Sequence, residues 1–135
     1  MSINYVKPHH GSAAEYQVSS FPYLTASTIA GVGDVHEITF PYVTRWIVAH
    51  NSEAGGASKS IRIGFTRNGV SGSITDNYLK LHSGEMSPRL ECKVLKVFVQ
   101  AEHINVEYNI VAGLTNILPD QFPAITGSNG FEGVG

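Results

Sequence analysis

The sequence predicts an all-β fold, a single antiparallel β-sandwich of the jelly-roll type with about six to eight short strands and extended N- and C-terminal arms. Apolar and polar residues alternate with a period of two in several runs. These runs recur roughly every ten residues, and Gly-, Ser- and Asn-rich loops separate them. Helical periodicity is almost absent, with at most one turn expected near residues 73–76.

Length and charge bound the organisation of the chain. Its 135 residues fit one domain, because domains usually span about 100–200 residues. We predict an N-terminal arm, 1–30, a sandwich domain, 31–118, and a Gly- and Pro-rich C-terminal tail, 119–135. Only 15% of the residues are charged, against about 25% in typical proteins. A low charge favours a subunit whose surface is covered in an assembly.

The stretch "HEITFPYVTRWIVAHN" contains two runs with strand character. Residues 35–40 alternate, and residues 44–50 alternate again. Pro41, between them, lacks a backbone donor and cannot lie in a central strand. We therefore predict two strands here, with Trp46 in the core.

Four further strands are expected downstream. Residues 61–66 alternate, and Asn68-Gly69 then predicts a turn, because both residue types accept positive φ. Residues 77–82 give a short strand. The run from Arg89 to Glu102 loses its phase after Val94, which predicts a β-bulge near Val94-Leu95. The regular alternation of residues 104–117 follows after a tight hairpin at 100–103.

The sequence contains no motif that is typical of a particular catalytic or cofactor-binding function. "GVGDVH" lacks the third glycine of a dinucleotide fingerprint and precedes a strand rather than a helix. Cys92 is the only cysteine, and its alternation points it inward, where a thiol behaves as a small hydrophobe. We expect no enzyme, no catalytic residue, no cofactor and no metal site.

The histidines follow no pattern that is typical of a metal site. There are six of them, and none forms a His-x-His pair on one strand face. Strand ends could bring two together, but a chance surface placement is the simpler interpretation. The six are His9, His10, His36, His50, His82 and His103.

Partners are constrained by charge and hydropathy. The net charge of −2 gives no basic field for nucleic acid, and no apolar run approaches the ~18 residues of a membrane span. The termini carry aromatic residues that a purely disordered tail tends to lack. Such ends either dock on a neighbouring subunit or pack on their own sandwich. The candidate partner contacts are Tyr5, Tyr16, Phe21, Tyr23, Phe122 and Phe131.

The segments "FPYVTRWIVAHN" and "EYNIVAGLTNI", within a compact strand-rich body, are similar in type to the jelly-roll minor capsid, cement and decoration proteins of double-stranded DNA viruses and phages. This resemblance implies a non-enzymatic virion structural protein, made in the host cytoplasm. Such a protein would form a symmetric homo-oligomer, with a trimer as our guess, and contact other capsid subunits through its arms.

The alternative is a carbohydrate- or receptor-binding sandwich, such as a lectin-like module or a fibre tip. It predicts a glycan site in the loops 51–60 and 67–77. Sugar sites use exposed aromatic platforms with polar groups nearby, and Tyr42, Asn77 and Tyr78 are the candidate ligand residues.

Overall fold

A computed structural model describes residues 20–54, 59–72 and 76–122, together with residues 11 and 13. Seven strands, one helix and one 3-10 turn form its elements within those ranges. They are β1 (Phe21–Ile29), β2 (Val35–Thr39), β3 (Thr44–Asn51), β4 (Ile61–Gly64), α1 (Arg67–Ser71), β5 (Leu79–Leu81), β6 (Lys96–Ala101), β7 (Val106–Leu114) and the 3-10 turn Pro119–Gln121.

The strands form two antiparallel sheets that face each other. Sheet I has the order β1-β7-β3 and sheet II the order β2-β6-β4-β5. Side chains from both sheets meet in one core, for example Ile47 and Ile110 from sheet I and Ile61 and Val99 from sheet II. The prediction of an all-β sandwich of short strands is confirmed.

An irregular segment, residues 85–90, extends sheet I beyond β3. The main chains of Ile47 and Leu90 exchange hydrogen bonds at 2.9 and 2.8 Å, and His50 bridges to Met86. The Ala49 N–H donates to the Ser87 side chain instead of a carbonyl. With this segment as an eighth strand, successive strands belong to sheets I, II, I, II, II, I, II and I. This order is the connectivity of a jelly roll.

The proline between the two predicted strands lies where the chain crosses the sandwich. β2 belongs to sheet II and β3 to sheet I, so the prediction of two strands is confirmed. The Phe40 N–H donates to Leu95 and the Val43 N–H to Ile117. Pro41, which has no N–H to satisfy, occupies the corner.

The phase slip that predicted a bulge marks a second crossing. Leu90 bridges to β3 in sheet I, whereas β6 begins at Lys96 in sheet II. The prediction of one bulged strand is therefore wrong. The predicted hairpin at residues 100–103 is also wrong, because β6 and β7 lie in different sheets. In both places the sequence pattern belongs to two strands of different sheets.

The predicted turn at Asn68-Gly69 is helical. Both residues lie in α1, and the Gly69 N–H donates to the Thr66 side chain, which caps the helix. Neither has positive φ. A Cβ on Gly69 would lie 2.9 Å from the Asn77 carbonyl oxygen, so the glycine serves close packing rather than a turn.

The predicted boundary of the N-terminal arm needs correction. Residues 21–29, placed in the arm, form β1 and pair along their whole length with β7. Apolar side chains fall on both faces of this strand, and its interior face also carries Thr25 and Ser27, so no period of two marks it. Hydrogen bonding to β7, rather than hydrophobic alternation, defines it. The rest of the predicted arm, 1–19, lies outside the ranges given above except for residues 11 and 13.

Candidate functional site

One side of the sandwich is open between its two edge strands. β1 ends sheet I on the side where β2 ends sheet II, and the short connection 30–34 joins them. A cleft of about 500 Å³ lies between them. Its lining residues are Tyr23, Thr25, Ala26, Ser27, Val35, His36, Glu37, Ile38, Thr39 and Tyr108.

A chain of polar side chains crosses this cleft. His36 Nδ1 and the Tyr108 hydroxyl are hydrogen-bonded at 2.9 Å, and the two rings meet edge to face. Tyr108 stands directly opposite Ser27 in the β1–β7 ladder. Burial raises the pKa of Tyr108, and a hydrogen bond with the Ser27 side chain offsets this only in part. The phenol is therefore protonated and neutral at physiological pH.

The charge at the rim of the cleft is neutralised. Among the described residues that line the cleft, Glu37 is the only acidic one and none is a lysine or an arginine. Its carboxylate accepts an ion pair from Lys96 at 2.9 Å. The cleft therefore offers hydroxyl and imidazole groups rather than a net charge.

Apart from Pro22, the free edge of β1 lacks the features that usually protect an edge strand. The nine residues FPYLTASTI contain no charge, and their pairing with β7 is regular from end to end. Among the residues that the structure describes, none pairs with the other side of β1. Natural edge strands are blunted by charge, shortness or bulges. Pro22 is the one residue in β1 that limits pairing, because it has no N–H.

The outer face of sheet I is largely apolar around this edge. Leu24, Val111 and Val48 form one cross-strand row, and the row beside it runs from Pro22 through Gly113 to the indole of Trp46. Leu24 is 73% exposed. Trp46, predicted in the core, is half-buried on this outer face, where the Arg89 guanidinium lies 5.3 Å from the centre of its ring. A β-bulge between Thr44 and Trp46 shifts the register of the strand, and the core positions that follow are Ile47 and Ala49.

The outer face of sheet II is covered by the chain itself. Helix α1 packs on it, with Val70 fully buried and Phe98 beneath the Arg67 guanidinium. Arg62 donates to Glu102 at 2.8 Å and to the carbonyls of Val70 and Ser71 at the helix end.

Glu102 links two cations on this face. It accepts from Arg62 and from Lys80, whose Nζ lies 2.9 Å from its other oxygen. Burial would raise the pKa of Glu102, but the hydrogen bonds and charges of the two cations outweigh it and lower the pKa below 4.5.

The three residues of the predicted loop site are not brought together. Tyr78 precedes β5 and Tyr42 follows β2, and these two strands form the opposite edges of sheet II, ~14 Å apart at ~4.8 Å per strand spacing. One face of the Tyr78 ring is covered by the Arg62 guanidinium, 4.4 Å from the ring centre. Tyr42 packs against the core. Asn77 adjoins Tyr78, and its carbonyl abuts Gly64 and Gly69.

The predicted partner contacts fall in several places. Tyr23 packs edge to face on Phe40 of its own core, with ring centres 5.0 Å apart. Phe21 is 54% exposed at the start of β1, and Phe122 is half-buried after the 3-10 turn. Tyr5, Tyr16 and Phe131 lie outside the described residues.

Other titratable groups carry structural roles. His50 contacts Asn109 and His82 contacts Ser60, so these two histidines have separate surroundings. Burial, together with the neighbouring Glu91, raises the pKa of the Cys92 thiol to about 11. In the described part of the chain, no three His, Cys, Asp or Glu side chains are grouped to hold a metal ion. The same residues include no helix long and apolar enough to cross a membrane.

Comparison of the chain with family models, with curated proteins and with solved structures found no match. Function must therefore be argued from the two features above, the cleft and the β1 edge. Sequence reasoning missed Ser27, His36 and Tyr108 as a group. The alternation of residues 104–117 places Tyr108 inward, but its partners come from another strand of the same sheet and from the facing sheet.

Proposed function

We propose that the chain is a non-enzymatic structural subunit, a minor capsid or decoration protein of a virion, which assembles by pairing β1 with β1 of a second copy. The observation that carries this proposal is the regular, uncharged edge of β1, with which no strand among the described residues pairs. Such an edge is a template for another strand. A second copy of β1 is a suitable partner strand, because the uncharged sequence of β1 can pair with itself.

Antiparallel pairing of two β1 strands is self-complementary. A two-fold axis at Thr25 places Leu24 opposite the copy of Ala26, and Tyr23 opposite the copy of Ser27. No residue of FPYLTASTI is charged, so the axis brings no like charges together. The exposed side chain of Leu24 would also gain apolar neighbours across the axis. Such an isologous contact makes dimers, and the predicted trimer would need a second, different contact.

The jelly-roll connectivity is consistent with a capsid role but is not specific to it. Viral capsid proteins, lectins and cupins all use the fold, and a fold does not fix a function. The unprotected edge and the low overall charge favour the assembly role within that group, because both suit a subunit surrounded by others. Contacts of the arms with other capsid subunits remain part of the proposal.

A charge-complementation experiment tests the pairing. L24K/A26K and L24E/A26E each place like charges opposite one another across the axis, so each protein is expected to sediment as a monomer. Their mixture places lysine opposite glutamate at both positions and is expected to restore a dimer. Thr39→Lys, on the exposed face of the β2 edge, is the matched control and should leave the wild-type dimer intact.

Sedimentation equilibrium over a concentration series measures each species. A monomeric wild-type chain throughout that series would refute pairing of β1 with its copy. So would a mixture of the two charged variants that contains no heterodimer.

A further inference from the structure

We infer that the cleft between β1 and β2 is a binding site for a neutral saccharide. Ser27, His36 and Tyr108 would form its polar floor, and Tyr23 its aromatic wall. This site differs from the loop site predicted around Tyr78, and it does not depend on the proposed assembly role.

The size and placement of the cleft suit a small ligand. Its volume of about 500 Å³ lies within the ~300–1,000 Å³ of typical small-molecule sites. It opens at the side of the sandwich, where neither sheet continues among the described residues. A ligand can therefore enter between the edge strands without separating paired strands.

The chemistry of the lining selects neutral polyhydroxylated molecules. Hydroxyl groups line the cleft from β1 and β7 of sheet I, on Tyr23, Thr25, Ser27 and Tyr108, and the imidazole of His36 faces them from sheet II. Each hydroxyl both donates and accepts, as the hydroxyls of a sugar do. The described lining contains no lysine or arginine to hold an anion, and Glu37 is already paired with Lys96 rather than left for a cation.

The aromatic wall supplies the second element of a saccharide site. Tyr23 is half-buried, and its contact with Phe40 is edge to face, so the ring is held in place beside the polar floor. A tyrosine combines a large apolar surface with a polar end. The C–H face of a sugar ring can pack on such a surface while its hydroxyls reach Ser27 and His36.

The test is a titration of the isotope-labelled full chain with glucose, galactose, mannose, fucose and N-acetylglucosamine, followed by amide chemical shifts. At least one sugar should shift the amides of Ser27, His36 and Tyr108 in a saturable manner. Sodium acetate and tetramethylammonium chloride are the charged controls and should give no saturable shift there. The absence of saturable shifts at these amides with every sugar would overturn the inference.

Variants distinguish sugar binding in the cleft from binding at the loop site predicted around Tyr78. Removing one hydroxyl by Ser27→Ala or Tyr108→Phe should weaken binding up to ~10-fold, because one hydrogen bond contributes about that factor. Ser27→Ala provides the test if Tyr108→Phe fails to fold. Tyr78→Ala should bind as tightly as the wild type, and loss of binding in that variant would overturn the assignment to the cleft.

The titration can be repeated on L24K, because Leu24 does not line the cleft. Unchanged sugar affinity in a monomeric L24K protein would show that binding and assembly are separate properties. Loss of binding in L24K, with its fold intact, would count against the cleft as a site within one subunit.

Discussion

The outer faces of the two sheets differ in what covers them. Sheet II carries helix α1 and the ion pairs of Arg62, Lys80 and Glu102. Sheet I presents Leu24, Val48 and Val111 in one row beside an open edge. The chain thus covers the outer face of sheet II with its own residues. On the outer face of sheet I, the described residues leave apolar side chains exposed.

The two faces should therefore contribute to different properties: the outer face of sheet II to folding stability, and the β1 edge to self-association. Residues on the outer face of sheet II pack against the rest of the same chain, so their replacement should lower the free energy of unfolding. The outward-facing side chains of β1, such as Leu24, are exposed, so their replacement should change association and leave folding intact. The following changes test this comparison, from the largest expected effect to the smallest.

Gly64→Ala should destabilise the protein by about 2–3 kcal/mol, because added volume in a tight contact forces side chains and backbone apart. A Cβ at Gly64 would meet Val70 Cγ1 at 2.5 Å and the Asn77 carbonyl oxygen at 3.0 Å. Urea unfolding measures the change.

Gly113→Ala on sheet I is the matched control for that substitution. Its Cβ would collide with the Trp46 indole and the Ser20 hydroxyl, which are side-chain groups at the half-buried outer surface and can move. A loss of about 1 kcal/mol is expected. A larger loss for Gly113→Ala than for Gly64→Ala would contradict the comparison.

Glu102→Gln should lower the free energy of unfolding by about 0.5–1 kcal/mol at neutral pH, as for a partly exposed ion-pair network. The folded state lowers the pKa of Glu102 below its ordinary value of 4.5. Its contribution is therefore complete above pH 4.5 and is lost as pH falls through the lowered value. Unfolding of both proteins, measured at neutral pH and in acid, should show that the difference between them disappears in acid. A difference that persists there would mean that packing, and not charge, stabilises this face.

Leu24→Ser should change the free energy of unfolding of the monomer by less than about 0.5 kcal/mol, as is usual for exposed positions. The Leu24 side chain is 73% exposed, so the fold loses little buried apolar surface. Sedimentation should show weaker self-association in the same protein. Marked destabilisation would mean that Leu24 packs within its own subunit.

Alternation was the reliable part of the sequence. Across residues 35–40, 61–66 and 104–117 it places Ile38, Ile61, Ile63, Val106 and Ile110 inward, and all five lie in the core, because a half-buried strand must place every second side chain inward wherever it lies. Trp46, predicted in the core, is the exception, because the bulge before it shifts the register of β3. Pro41 likewise identified a break, since proline cannot donate in a ladder. These are local rules, and the structure confirms them.

Alternation could not determine which sheet each strand joins. A strand shows the same period of two in either sheet, so residues 89–102 gave the pattern of one bulged strand although they cross the sandwich. β1 escaped prediction because its partner strand lies about 80–90 residues further along the chain, and because its apolar side chains fall on both faces without a period of two.

The sequence by itself therefore determined the all-β class, the two runs around Pro41 and most of the core. Only the tertiary structure decided that β1 is an exposed edge and that Ser27, His36 and Tyr108 meet in a cleft. The physical reason is that the alternation of residues adjacent in the chain shows which face of a strand is buried. Strand pairing and sheet stacking bring together residues far apart in the chain, and their backbone hydrogen bonds are available to every amino acid except proline.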